Sequence, residues 1–205
     1  MTRTVSWCPD SEDSLTDSGN SIIDDSGNRM PSFMEQMNEL TVTVTSPDNQ
    51  IKARLVAGKD LTLAFRPHTY ARYREAQLAE QLAQVGKLIW VGHRRGYVKA
   101  FNISRGRAEG ETLRPHWDAK YRRYDQAISE LVAYGESPSR CVRVKSKGMV
   151  SWKVKIADGT IAAFDEEAFI DEVVSAYRGA RRNSQHQETL LKDKHFGLNI
   201  PAFAR

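Results

Sequence analysis

Cysteine is nearly missing from this chain, and long apolar runs are missing altogether. Only Cys8 and Cys141 occur among 205 residues, far apart and with no CxxC spacing or Cys/His cluster, so neither a disulfide framework nor a metal site is expected. No stretch approaches ~18 consecutive apolar residues, which predicts no membrane span. The N-terminus has no basic segment followed by an apolar one, so no secretory leader is expected and the cytoplasm is the expected compartment. Catalytic signatures are missing too. The five histidines do not pair in an HExxH arrangement, and no GxSxG, phosphate-binding GxxxxGK or GxGxxG run occurs. A non-enzymatic protein with no cofactor and no metal is the expectation.

Charge is plentiful but uneven. The net charge is +4, yet residues 1–40 hold only Arg3 and Arg29 against eight carboxylates. That segment carries −6 and leaves +10 for the rest. An acidic tail on a basic body suggests a body that binds a polyanion or an acidic partner, with a tail able to cover that surface.

Residues 1–30 are rich in Ser, Asp, Asn, Gly and Thr, with Ile22 and Ile23 as the only adjacent aliphatics. Such a segment buries too little apolar surface to offset its ordering entropy and reads as disordered. Order is expected from Pro31, with an amphipathic turn at Phe33, Met34 and Met37. Leu40, Val42 and Val44 alternate with threonines, a half-buried strand. Turn clusters at Ser46–Asn49 and Gly58–Asp60 separate it from strands at Ile51–Leu55 and Leu61–Phe65, an antiparallel meander. A helix is predicted to start near Pro67 and to end between Gly86 and Ala100, because Gly86, Gly92 and Gly96 weaken its later turns. Ser104–Pro115 reads as a linker.

The second half reads as the same plan. Trp117, Tyr121, Tyr124, Ile128, Leu131 and Val132 predict a helix ending near Gly135. Strands are predicted at Val142–Val144, Val150–Ile156 and Ile161–Phe164, with Asp158–Gly159 as a hairpin signal. Asp165 caps a final helix through Phe169, Ile170, Val173, Val174 and Tyr177, running past Arg182 toward Leu191. The repeat is matched on Thr41–Ser46 with Cys141–Ser146, Leu63–Phe65 with Ala162–Phe164, and Glu75–Glu80 with Glu167–Glu172.

The strand Thr41–Ser46, the turn Asp158–Gly159 and the helices Glu75–Leu82 and Glu167–Val174 resemble the YbaB/EbfC family over about residues 33–100 and 117–192. That resemblance implies an α+β fold of two αβββα modules in tandem, each a three-stranded antiparallel sheet with long helices. Two modules in one chain imply an intramolecular pseudo-dimer, since fusion raises one half's effective concentration for the other. The expected organisation is a tail at 1–30, modules at 31–103 and 116–197 around a linker at 104–115, and a C-terminal tail at 198–205. The resemblance also implies nucleoid-associated DNA binding. The acidic tail before Thr41-Val-Thr43 is similar as well to the Esp group of cytosolic type VII (ESX) secretion accessory proteins, which implies a protein partner as the alternative. Association into homo-oligomers is compatible with either reading.

The residues divide the same way. Arg143, Lys145 and Lys147 alternate with Val142, Val144 and Ser146, and Lys153 and Lys155 alternate likewise after the turn, which predicts one basic solvent face. Arg94 with Arg95, and Arg181 with Arg182, form further clusters. These nine residues are the candidate DNA contacts, acting on phosphates with little sequence specificity. Trp90 and Val91, in the apolar run Leu88–Val91, are the candidate partner-binding face.

Overall fold

The computed structural model describes residues 31–107 and 118–197 of the 205-residue chain, and the expected tails and most of the expected linker lie outside them. The architecture is α+β, with two three-stranded antiparallel sheets and long helices.

A short helix α1 (Phe33–Glu39) opens the first half. It begins with a capping box, in which Ser32 Oγ accepts from the Glu35 N–H and Glu35 accepts from the Ser32 N–H at 2.7 Å. Strands β1 (Thr41–Thr45), β2 (Ile51–Val56) and β3 (Asp60–Phe65) form the meander, in register Thr43–Arg54 and Arg54–Thr62. Their alternation works as read. Val42, Ile51, Ala53, Leu55, Leu61, Leu63 and Phe65 are buried while the threonines and Lys52 and Arg54 face out. At the first turn Ser46 Oγ accepts from the Ile51 N–H at 2.9 Å, and Asn49 takes a left-handed φ of 61°.

Helix α2 (Glu75–Ser104) differs from the sequence expectation at both ends. Pro67 stays outside it. The chain first passes through His68 at φ 62° and a 3-10 turn at Tyr70–Arg72, because Tyr70 is held in the core with its hydroxyl donating to the Phe164 carbonyl at 3.2 Å. The glycines do not end the helix either. A Cβ built on Gly86 lies 3.0 Å from the Trp152 ring, one on Gly92 2.4 Å from Val42, and one on Gly96 2.4 Å from Leu40. Close packing against both sheets is what these positions serve, and it outweighs their poor helix propensity.

In the second half, helix α3 (Ala119–Glu130) stops earlier than expected and strand β4 (Val132–Glu136) follows. Strands β5 (Val142–Lys147) and β6 (Ser151–Ile156) complete the sheet. The segment read as a third strand is instead a one-turn helix α4 (Thr160–Ala163). Asp158–Gly159 therefore makes no hairpin; Gly159, at φ 79°, caps α4. Asp165 caps helix α5 (Glu166–Phe196), accepting from the Ala168 N–H at 2.8 Å. Tyr124 on α3 is buried against Phe196.

These shifts correct the register of the repeat. The strands begin at Thr41, Ile51 and Asp60 and again at Val132, Val142 and Ser151, a constant offset of 91 residues that also relates Glu75 to Glu166. Ser46-Pro47 thus corresponds to Ser137-Pro138, and Ser137 Oγ accepts from the Val142 N–H at 3.0 Å as Ser46 does from Ile51. The left-handed Asn49 likewise corresponds to Arg140, at φ 63°.

The two sheets do not hydrogen-bond to each other. The helices join the halves instead. Helix α2 packs on β1 of its own sheet and on β6 of the other, and α5 packs on β4 and β5 and reaches β3. A single apolar core runs through both halves, with Phe169 of α5 against Phe65 and Tyr70. The Ile161 N–H donates to Glu75 across the same junction at 3.3 Å.

Candidate nucleic-acid interface

The outer face of the second sheet follows from strand alternation. Val142, Val144 and Ser146 point into the core, which turns Arg143, Lys145 and Lys147 outward. On β6 the half-buried Trp152, Val154 and Ile156 turn Lys153 and Lys155 to the same side. Register aligns them in rows across the sheet. Tyr134, Lys145 and Lys153 form one row, and Glu136, Arg143 and Lys155 the next. The five strand cations among the nine read from the sequence are all exposed on one surface.

Their surroundings differ. Arg143 Nε lies 2.6 Å from Glu136 Oε1, and Lys147 Nζ 2.5 Å from Glu130 Oε2. Lys145 Nζ stands over the Tyr134 ring, 5.3 Å from its centroid. Among the described residues no carboxylate is ion-paired with Lys153 or Lys155. Tyr134 is 57% exposed, halfway along the edge strand of this face. Sequence reading missed it, because the strand that presents it was taken for a helix end. Its signal was the pair of equivalent Ser-Pro turns, which place Val132–Glu136 where Thr41–Thr45 stands.

The helical cations are not brought to this face. The helices cover the inner faces of the sheets, so the exposed Arg95 and Arg182 belong to another surface. Arg94 is half-buried and feels Tyr97 and Asp125. Arg181 lines a small, partly open pocket with Gly58, Trp90, His93, Met149, Trp152 and Tyr177. Within its walls Gly58 and Met149 stand 91 residues apart, as do Gly86 and Tyr177, and Trp90 and Arg181. His93 is buried there, with no hydrogen-bond partner for Nδ1 among the described residues. Burial, with Arg181 nearby, lowers its pKa to about 4, so it is neutral in the folded protein.

Trp90 is corrected as a partner-binding residue. It is 8% exposed and stacks on His93 at 6.1 Å, so the helical period turns it inward while Val91 faces out. The exposed apolar pair on that helix is Leu88 and Val91, at 40% and 36%. Among the described residues no group of three or more His, Cys, Asp or Glu is placed to hold a metal ion, and no helix is long and apolar enough to cross a membrane. The chain matches no family model, no curated protein and no solved structure.

Proposed function

We propose that this chain is a non-enzymatic nucleic-acid-binding protein that works through the outer face of its second sheet, on an intramolecular pseudo-dimer of two YbaB-like modules. The carrying observation is the row Tyr134–Lys145–Lys153 with Lys155 beside it. Two lysines with no ion-pair partner among the described residues and an exposed ring form a positively charged platform. Lysines on a sheet face contact phosphates without reading bases, and an exposed tyrosine offers a stacking surface that every base accepts. Glu130 and Glu136 hold Lys147 and Arg143 only through exposed pairs, which are worth about 0–1 kcal/mol and yield readily to phosphate. The pseudo-dimer reading is supported by the constant 91-residue offset and by helices that each pack on both sheets.

The halves are specialised in this reading. The equivalent row of the first sheet is Thr43–Arg54–Thr62, with one cation and no ring. Binding is therefore assigned to the second module. Fluorescence anisotropy with labelled duplex and single-stranded DNA tests this at low salt. Lys145→Ala, Lys153→Ala and Lys155→Ala together should weaken binding about tenfold or more, with the equivalent Arg54→Ala nearly silent. Equal losses from the two faces would defeat the assignment. The alternative, an accessory protein of a secretion system, rests on Leu88 and Val91. It predicts no retained DNA and a protein partner lost on Leu88→Ser.

A further inference from the structure

The two halves treat their first strands differently. In β1 the Ser46 N–H and the Leu40 carbonyl bond to the neighbouring turns at Ile51 and Ala57. Antiparallel alternation then sends the N–H and C=O of Val42 and Val44 toward β2, and those of Thr41, Thr43 and Thr45 toward the free edge. The same reasoning directs Val132, Tyr134 and Glu136 to the free edge of β4. There, helix α5 closes the edge. The Tyr134 N–H donates to Asn183 Oδ1 at 3.0 Å, and Gln187 Nε2 donates to the Val132 carbonyl at 2.9 Å. Ninety-one residues earlier, the positions of Asn183 and Gln187 are Gly92 and Gly96. No described side chain or backbone group bonds to the outward N–H of Thr43. This edge also lacks the usual guards, since Thr-Val-Thr-Val-Thr contains no charge and no proline.

Beside the open edge runs one stripe of α2. Gly92 rests on Val42, and Leu88, Val91 and Arg95 stand within a turn of it. Leu88 and Val91 are among the few exposed large aliphatics, and the exposed Arg95 follows them along the helix. A single added strand would lie between this stripe and β1, with half its side chains against an apolar patch that ends in a cation.

We propose that the occupant is the chain's own segment Ser21-Ile22-Ile23-Asp24-Asp25, added to the edge of β1 as a further strand. It is the one place in the first thirty residues with adjacent aliphatics, and two carboxylates follow them, matching Leu88 and Val91 followed by Arg95. Reach is no obstacle. Eight residues from Ile23 to Pro31 span up to roughly 27 Å extended, while α1, the distance back to Thr41, is about 10 Å long. Tethering supplies the segment at high effective concentration. The proposal is independent of the nucleic-acid reading, and its readout involves no DNA.

Hydrogen exchange on the full chain tests it, comparing wild type with Ile22→Lys/Ile23→Lys and, separately, Arg95→Glu. In wild type the Thr43 amide should exchange at least about tenfold more slowly than in the double variant, with Arg95→Glu in between. The Tyr134 amide, bonded to Asn183, should keep its protection in all three and so reports that the fold is intact. Equal Thr43 rates in wild type and double variant would overturn the proposal. So would a Thr43 protection that rises with protein concentration, since that would make the added strand a second copy's.

Discussion

Replacing Gly135 with alanine is the sharpest local test of how the second half is built. Strand β4 lies directly beneath α5 at this residue, and a Cβ there would sit 2.0 Å from the Ala176 carbonyl oxygen and 2.3 Å from the Ala180 nitrogen. Both obstacles are helix backbone, so no rotamer change relieves them, and α5 must lift by more than 1 Å. Overpacking costs about 1–3 kcal/mol where side chains yield, and the upper end applies here. The lost freedom of the unfolded chain returns about 0.4–1 kcal/mol, leaving a net loss of about 2 kcal/mol. Gly179, facing it from α5, is the control. A Cβ there is in ordinary contact, 3.4 Å from the Gly135 Cα. Gly179→Ala should therefore gain up to about 1 kcal/mol of helix propensity. Urea unfolding followed by tryptophan fluorescence reads both, since Trp90 is buried and Trp152 half-buried. A Gly135→Ala midpoint at or above wild type would refute the close crossing of α5 over β4.

Other predictions rest on separate observations. His93 has its pKa lowered in the folded state to about 4 from an ordinary 6.5, so the unfolded chain binds the extra proton. Its contribution is therefore complete above about pH 6.5 and is lost as pH falls toward 4, on the order of 3 kcal/mol in all. His93→Gln should flatten the fall in melting temperature over that window, and an unchanged slope would count against a neutral buried imidazole. Asn183→Ala removes the acceptor from the Tyr134 N–H and should cost about 1 kcal/mol in urea unfolding, with faster exchange confined to the β4 edge. Glu130→Gln with Glu136→Gln frees Lys147 and Arg143 and should tighten DNA binding several-fold at low salt, as read by anisotropy.

What the sequence disclosed and what it hid have physical reasons. The first meander is legible because its strands alternate β-branched and apolar residues with polar ones and are bounded by strong turn signals. The basic outer face of β5 and β6 is legible for the same reason. Strand β4 is not, because Val132-Ala-Tyr-Gly-Glu136 substitutes small residues where β1 has valines. Those small residues let α5 approach, a tertiary demand that leaves no local pattern. Helix α2 balances the same contact in reverse, with glycines on the helix and large residues at Leu40 and Val42. Glycines that read as a helix end were thus packing positions. Losing β4 also shifted the matching of the repeat by a whole strand and hid Tyr134 from the candidate site.

The measurement that bears most directly on the nucleic-acid reading is the salt dependence of DNA affinity for the full-length chain. Each phosphate contact contributes a slope of about −0.9 in log K against log salt, so Lys145, Lys153 and Lys155 with the freed Arg143 and Lys147 predict a slope of about −4.5 on duplex DNA. Unrelated sequences should bind about equally, and Lys153→Ala with Lys155→Ala should make the slope shallower by about 2. Absence of binding at the lowest salt, or a slope indifferent to these two lysines, would contradict the account.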